Sequence, residues 1–247
     1  MKTILITGSS RGIGKAIATL AHKQGYKVIV HGKSGSEELN KTQQELDGSL
    51  KVVFDVADKQ ATHEAVANIL NEVGAIDVLV NNAGIARNFL KDIAEVDDDK
   101  AIEEYRTNVL GTLHVTQAVL PKMLEQQKGS VINIASIKGQ YNLATTSTLT
   151  FATTKAGIIS LTKALAKTYG DKGIRFNTVS PGYVETDLIA QFTDDMRERL
   201  YKQNPVGRVC WPSEVAALVT FLCSNQAAFI NGEQICIDGG RRDFFWS

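Results

Sequence analysis

The chain predicts an α/β fold, a doubly wound parallel sheet of about seven strands with helices on both faces. Three observations carry that expectation. Short apolar, β-branched runs alternate with longer amphipathic stretches along the whole sequence. Several of the short runs, Ile4-Leu5-Ile6 first among them, are continuously apolar, as strands covered on both faces are. A glycine-rich turn, Thr7-Gly8-Ser9-Ser10-Arg11-Gly12-Ile13-Gly14, follows the first run and opens the first helical stretch.

Taken in order, the candidate strands occupy residues 3–7, 27–30, 51–54, 78–80, 130–135, 175–179 and 234–237. The helical patterns between them include 14–24, 59–73, 97–125, 151–169 and 212–222. Right-handed crossovers would set the carboxyl ends of the strands along one rim, where ligands bind in such sheets. No composition shift or internal repeat marks a linker, and the four prolines are scattered, so residues 1–247 are expected to form one domain. Residues 188–209 interrupt the rhythm with a polar helical segment, 193–203, and then Asn204-Pro205. A substrate lid above the rim is one reading of that excursion, and an ordinary surface helix is the other.

Lys+Arg and Asp+Glu are both 27, which argues against a bulk electrostatic role on nucleic acid or an anionic membrane. The three cysteines, Cys210, Cys223 and Cys236, form no C-x-x-C pair, so neither a disulfide framework nor a metal site is expected. The apolar start is too short for a signal peptide, and no run reaches the roughly 18 apolar residues of a membrane span. A cytoplasmic enzyme is expected.

The glycine turn has a chemical reading. Gly8 permits a sharp turn, Gly12 lets backbone approach a pyrophosphate, and Gly14 lets the helix pack close on the strand. N–H groups of the helix start then face the phosphate charge. After the second strand, a binder of NAD usually carries Asp or Glu for the ribose 2′-hydroxyl. Here no carboxylate occurs before Glu37; Lys33 stands there instead, with Arg11 in the glycine turn. Two cations suit a 2′-phosphate, so NADP(H) is the expected cofactor. His31 is either a third contact or an incidental strand-end histidine. Asp55-Val56 is placed to reach the adenine edge, and Asn81-Asn82-Ala83-Gly84 to lie against the adenine ribose, although a plain strand-end turn explains the latter motif equally well.

These residues, with Asn108, Ser136, the element Phe151-Ala152-Thr153-Thr154-Lys155 and Pro181-Gly182, resemble the short-chain dehydrogenase/reductase family in their order along the chain, from Lys2 to Gly240. Within it, 180–187, Asn204-Pro205-Val206-Gly207-Arg208 and Phe229-Ile230-Asn231-Gly232-Glu233 are similar to segments of 3-oxoacyl-acyl-carrier-protein reductases. The resemblance implies a Rossmann fold, reduction of a carbonyl by NADPH, an acyl-carrier-protein or other thioester substrate, and a homo-oligomer, tetramer or dimer, built through 97–125 and 151–169. It adds Ser10, Ile13, Asn82, Ala83, Gly84, Pro181, Gly182, Val184 and Thr186 to the cofactor contacts. It also implies that Lys155 holds the nicotinamide ribose, that Ser136 polarises the carbonyl, and that Asn108 supports a water chain to the lysine.

One departure is chemical. The family's tyrosine, four residues before the lysine, is Phe151 here. Hydride transfer to a ketone builds negative charge on oxygen, which a general acid must neutralise. Phenylalanine keeps the ring but has no proton to give. Tyr141 is the nearest tyrosine in sequence, with Thr145 rather than a lysine four positions on, and the hydroxyls of 145–150 are far weaker acids than phenol. The segment between Ser136 and Phe151 is also longer than usual for the family by about two residues. Two readings lead: a carbonyl reductase impaired at one atom, and a non-catalytic NADP-binding sensor or partner subunit. An enzyme of altered chemistry that needs no strong acid is a third. An acidic carrier-protein partner would need a basic patch, for which Lys122, Lys128 and Lys172 are candidates. The aromatic tail 241–247 is expected to pack on a neighbouring subunit.

Overall fold

The computed structural model describes residues 1–140 and 144–241. Its strands are β1 (Thr3–Ile6), β2 (Lys27–Gly32), β3 (Leu50–Val53), β4 (Val78–Asn81), β5 (Gly129–Ile134), β6 (Ile174–Pro181) and β7 (Gln234–Ile237). They form one seven-stranded sheet in the order β3-β2-β1-β4-β5-β6-β7. Every neighbouring pair is parallel, with Leu5 opposite Ile29 and Leu79, and Ile132 opposite Asn177. The order reverses between β1 and β4, and there the glycine turn emerges.

The helices are α1 (Gly12–Lys23), α2 (Glu37–Glu45), α3 (Lys59–Val73), α4 (Asp98–Tyr105), α5 (Gly111–Gln126), α6 (Leu149–Tyr169), α7 (Asp187–Ala190), α8 (Asp194–Lys202) and α9 (Pro212–Cys223). Because side chains alternate along a strand, each strand feeds two cores. Ile4, Ile6, Val28, Val30, Val78 and Val80 pack under α1 and α9, with Ile17, Ala21, Val215 and Val219. Leu5, Ile29, Leu79, Val131 and Phe176 pack on the other face, with Val66 of α3 and Val115, Val119 and Met123 of α5. Continuously apolar strands were the signature of this double coverage, and β1, β4 and β5 are buried at every residue.

The differences from the sequence expectations are local. Helix α2 was not among the expected helices: only Leu39 and Thr42 of its nine residues are buried, so its apolar stripe is short. It is set instead by Ser36, whose hydroxyl caps the Leu39 N–H. The expected single helix over 97–125 is interrupted by a π-helical stretch, Arg106–Leu110, between α4 and α5. Such widened turns leave the apolar period intact on either side and collect at functional sites. Tyr141 and all but the first residue of the tail 241–247 lie outside the described residues.

Candidate active site

Because all strands run one way, the loops after them share a rim. The glycine turn follows β1, Lys33 follows β2, Asp55-Val56 follow β3 and Asn82–Gly84 follow β4. Ser136 follows β5, and Pro181–Thr186 close β6 and lead to α7.

The glycine turn has the form a pyrophosphate needs. Gly8 and Gly12 lie at φ 64° and 56°, in the left-handed region that favours glycine. A side chain at Gly14 would run into the Gly8 carbonyl and the Asn82 amide. That amide donates to the Thr7 and Gly8 carbonyls at 2.9 and 3.0 Å, and Thr7 Oγ1 accepts from the Asn82 and Ala83 N–H groups. Asn82 and Ala83 therefore hold the turn from behind. Helix α1 begins with no side-chain cap, unlike α2, α3, α4 and α8, and with no acidic residue in its first turn, unlike α2, α4 and α8. Its first N–H groups, at Ile13 and its neighbours, are left for an anion. Across the gap stands Thr186, 3.5 Å from where a Cβ on Gly12 would sit.

Both cations expected to meet a 2′-phosphate are ion-paired. Lys33 Nζ lies 2.8 Å from Asp55, and Arg11 lies 3.4 Å from Asp187. Lys33 and Arg11 are largely exposed, so each pair contributes little, about 0–1 kcal/mol. His31 is not a rim contact at all; it is buried, and its ring faces the glycine turn from below.

At the chemical end, Lys155 is only 5% exposed. Its Nζ donates to the Ile134 carbonyl at 2.9 Å and stands 5.5 Å from the centroid of the Phe151 ring, one helical turn away. Burial alone pushes the ammonium down from 10.5 to about 8. A Cβ on Gly84 would lie 3.1 Å from Asn108 Oδ1 and 3.3 Å from Lys155 Nζ, so the small residue there keeps both groups beside the rim. Asn108 sits in the π-helical stretch, fully buried. Its amide accepts from the Ile85 N–H at 2.8 Å and donates to the Ile85 carbonyl at 2.9 Å and to Thr154 Oγ1 at 3.0 Å. Ser136 Oγ accepts from the Lys138 N–H at 3.1 Å and starts the short 3-10 turn Ile137–Gly139. That turn rests on α6 with Gly139 directly against the Lys155–Ala156 peptide, which ties Ser136 to the lysine's helix. Phe151 is half-buried at the start of that helix.

Sequence reasoning did not single out Glu104, four residues before Asn108. This carboxylate is fully buried, accepts from the Arg87 and Asn88 N–H groups at 2.5 and 3.0 Å, and takes the Thr150 hydroxyl proton bond at 2.6 Å. Glu104–Thr150 and Asn108–Thr154 are two rungs, each four residues from the other, joining the α4 end to the first turns of α6. The i, i+4 spacing of Glu104 and Asn108 was the available signal; that a charged residue faces inward is not visible without the fold.

Val184 bridges to Cys210, and Glu185 N–H and Cys210 N–H exchange bonds with Cys210 and Tyr183 carbonyls at 2.8 and 2.9 Å. The excursion over 188–209 thus leaves and rejoins the rim at one place. It carries its own small core of Ile189, Leu200 and Val209 against Tyr183, Phe192 and Tyr201. Pro181 ends β6 beside Ile237, whose carbonyl accepts from Gly182 N–H at 3.0 Å. Among the described residues, no group of three or more His, Cys, Asp or Glu could hold a metal, and no helix is long and apolar enough to cross a membrane.

The family profile described as enoyl-(acyl carrier protein) reductase matches residues 8–242. The chain is 38% identical over 244 residues to a 3-oxoacyl-[acyl-carrier-protein] reductase of Thermotoga maritima, covering 97% of each. It is 38% identical over 248 residues to one from Aquifex aeolicus, covering 97% of this chain and 96% of that one. Among solved structures, a 3-oxoacyl-[acyl-carrier protein] reductase from Brucella melitensis superposes with a TM-score of 0.90 at 30% identity, covering 97% of this chain and 90% of that one. A structure from the same species described as ribose-5-phosphate isomerase superposes with a TM-score of 0.91 at 31% identity, covering 97% and 91%.

Proposed function

Since the chain belongs to the short-chain dehydrogenase/reductase family, we propose that it is an NADPH-dependent carbonyl reductase of 3-oxoacyl thioesters whose turnover is limited by Phe151. The observation that carries the reading is the retained pairing of Lys155 and Asn108 around Gly84, beside a ring without a hydroxyl. When bound, the dinucleotide supplies the hydride. The chain's residues do the rest. The uncapped start of α1 and the glycine turn take the pyrophosphate; Asp55 and Val56 flank the adenine; Ala83 and Gly84 lie against its ribose. Lys155 holds the nicotinamide ribose, with Pro181, Gly182, Val184 and Thr186 along the nicotinamide side. Ser136 orients the carbonyl oxygen. No side chain at position 151 delivers the proton, so the reaction depends on slower donors such as water.

Lys33 and Arg11 select the 2′-phosphate. A dianionic phosphate competes successfully with Asp55 and Asp187 because exposed ion pairs contribute little. Replacing Lys33→Met is expected to weaken NADPH binding about 10- to 100-fold, the loss of one charge-assisted contact, while NADH binding changes little. Parallel fluorescence titrations with the two nucleotides check this; equal weakening of both would remove Lys33 from the specificity site.

The excursion over 188–209 acts as a substrate lid, and residues 1–247 act as one domain in the cytoplasm. Ile102 and Tyr105, exposed on α4, favour a homo-oligomer through this region. An acyl-carrier partner would meet Lys128, which is exposed, and Lys172, which lies over Tyr169; Lys122 is held by Glu125. The test is product formation: prolonged incubation of the chain with NADPH and a 3-oxoacyl thioester yields the 3-hydroxyacyl thioester slowly. Absence of that product with either Phe or Tyr at position 151 would favour the second reading, a non-catalytic NADP-binding subunit, which Phe151 itself motivates.

A further inference from the structure

His31 lies in β2, is 2% exposed and is not part of the rim. Its ring packs against Phe54 with centroids 4.1 Å apart, tilted by 49°. Nδ1 is 3.0 Å from the Gly8 N–H, which can only donate, so Nδ1 accepts and carries no proton. Nε2 then holds the ring's hydrogen and donates to the Phe54 carbonyl at 3.0 Å. The backbone of the same residue grips the next position: His31 N–H donates to Ser9 Oγ at 2.8 Å, and Ser9 N–H donates to the His31 carbonyl at 2.9 Å. Thr42 Oγ1, from α2, holds the Ser10 carbonyl at 3.0 Å. The glycine turn is thus anchored from below, residue by residue, and Gly8 is anchored by a side chain.

We propose that His31 is a positioning residue for dinucleotide binding: its Nδ1 acceptor fixes the Gly8 peptide, and through it the orientation of the N–H groups that open α1 toward the pyrophosphate. The physical reason is that Gly8, at φ 64°, has wide conformational freedom, and a turn that must be ordered on binding loses affinity. A neutral imidazole removes that cost in advance. An imidazolium cannot accept from Gly8 and would leave two donors facing each other. Burial accordingly lowers His31 from 6.5 to about 4; the Phe54 carbonyl and the Asp55 carboxylate pull the other way, and Asp55 is itself paired with Lys33. The unfolded chain therefore binds a proton between pH 6.5 and about 4 that the folded chain excludes. Stability from this group is complete above pH 6.5 and is lost as pH falls toward 4.

The inference rests on the reading that this turn holds a dinucleotide. Two full-length variants separate anchoring from packing. His31→Phe keeps a ring against Phe54 but has no acceptor. His31→Asn loses the ring but places an oxygen near the Nδ1 position. NADPH titration should show His31→Phe weakened about tenfold or more, the scale of one lost buried hydrogen bond, and His31→Asn close to the unaltered chain despite lower thermal stability. The acid-side stability loss between pH 6.5 and 4 should be smaller in both variants. Affinity that follows thermal stability instead, or an undiminished affinity in His31→Phe, overturns the proposal. Hydrogen exchange at the Gly8 amide separates the two levels. If the unaltered chain binds no NADPH yet Gly8 is protected in His31→Asn and open in His31→Phe, the anchoring stands and the dinucleotide reading falls. Equal exchange in the two variants overturns the anchoring.

Discussion

Phe151→Tyr is expected to raise NADPH-dependent reduction of a 3-oxoacyl thioester by about 100- to 10,000-fold, the range that a positioned general acid contributes. The surroundings are ready for a phenol. The Lys155 ammonium stands 5.5 Å from the ring centroid, and the ring is half-buried, so an added hydroxyl need not be driven into the core. Among the described residues Nζ donates to the Ile134 carbonyl alone, and burial is the cause of its lowered proton affinity. A phenolate forming beside that poorly solvated cation would be stabilised strongly, because the attraction grows as the local dielectric falls. Steady-state rates of the two proteins, with substrate saturating, measure the ratio. An unchanged rate would mean that position 151 is not what limits turnover.

Lys155→Met is expected to do the reverse: to stabilise the fold and abolish the gain made by Phe151→Tyr. Holding this lysine at about 8 rather than 10.5 corresponds to a burial penalty on the order of 3 kcal/mol for the ammonium form. Leaving the Ile134 carbonyl without its donor returns roughly 1 kcal/mol of that. The net gain, about 2 kcal/mol, should raise Tm by about 4–8 °C at neutral pH for a chain of this size. The pH dependence fixes the sign. The folded state releases the Lys155 proton near 8 and the unfolded chain near 10.5, so the unfolded state binds more protons in between. Stability should therefore rise with pH from about 8 to 10.5 in the unaltered chain, and that rise should be missing in Lys155→Met. Thermal denaturation across this range checks it. A destabilised variant with an unchanged pH profile would show that the buried ammonium is compensated by interactions other than the single carbonyl.

The frame of the molecule was readable from the residues because its signals are local. Strands β1 and β4 carry the continuous apolar runs Ile4-Leu5-Ile6 and Val78-Leu79-Val80 because they are covered twice, and Gly8 and Gly14 had to lack side chains to pass Ala83 and the Gly8 carbonyl. What was not readable depends on partners distant in sequence. Helix α2 has a single strongly apolar buried residue, Leu39, and too short a stripe to reveal itself. The π-helical turn at Asn108 leaves the periodicity on both sides intact. His31 and Glu104 are ordinary polar residues in the sequence. Their roles come from Gly8 at a separation of 23 residues and from Thr150 at 46, contacts that exist only once the sheet and the α4–α6 packing have formed. Lys33 and Arg11 were legible as cations, but their pairing with Asp55 and Asp187 was not.

On the proposed reading, the cofactor site is whole and the lesion is one oxygen atom. Its most direct test is a titration of NADPH into the chain and into Phe151→Tyr, followed by nicotinamide fluorescence. Superimposable saturating curves, with turnover about 100- to 10,000-fold faster in the tyrosine variant, are the predicted result. Failure of the phenylalanine chain to bind NADPH, or binding that appears only when the hydroxyl is restored, would contradict it.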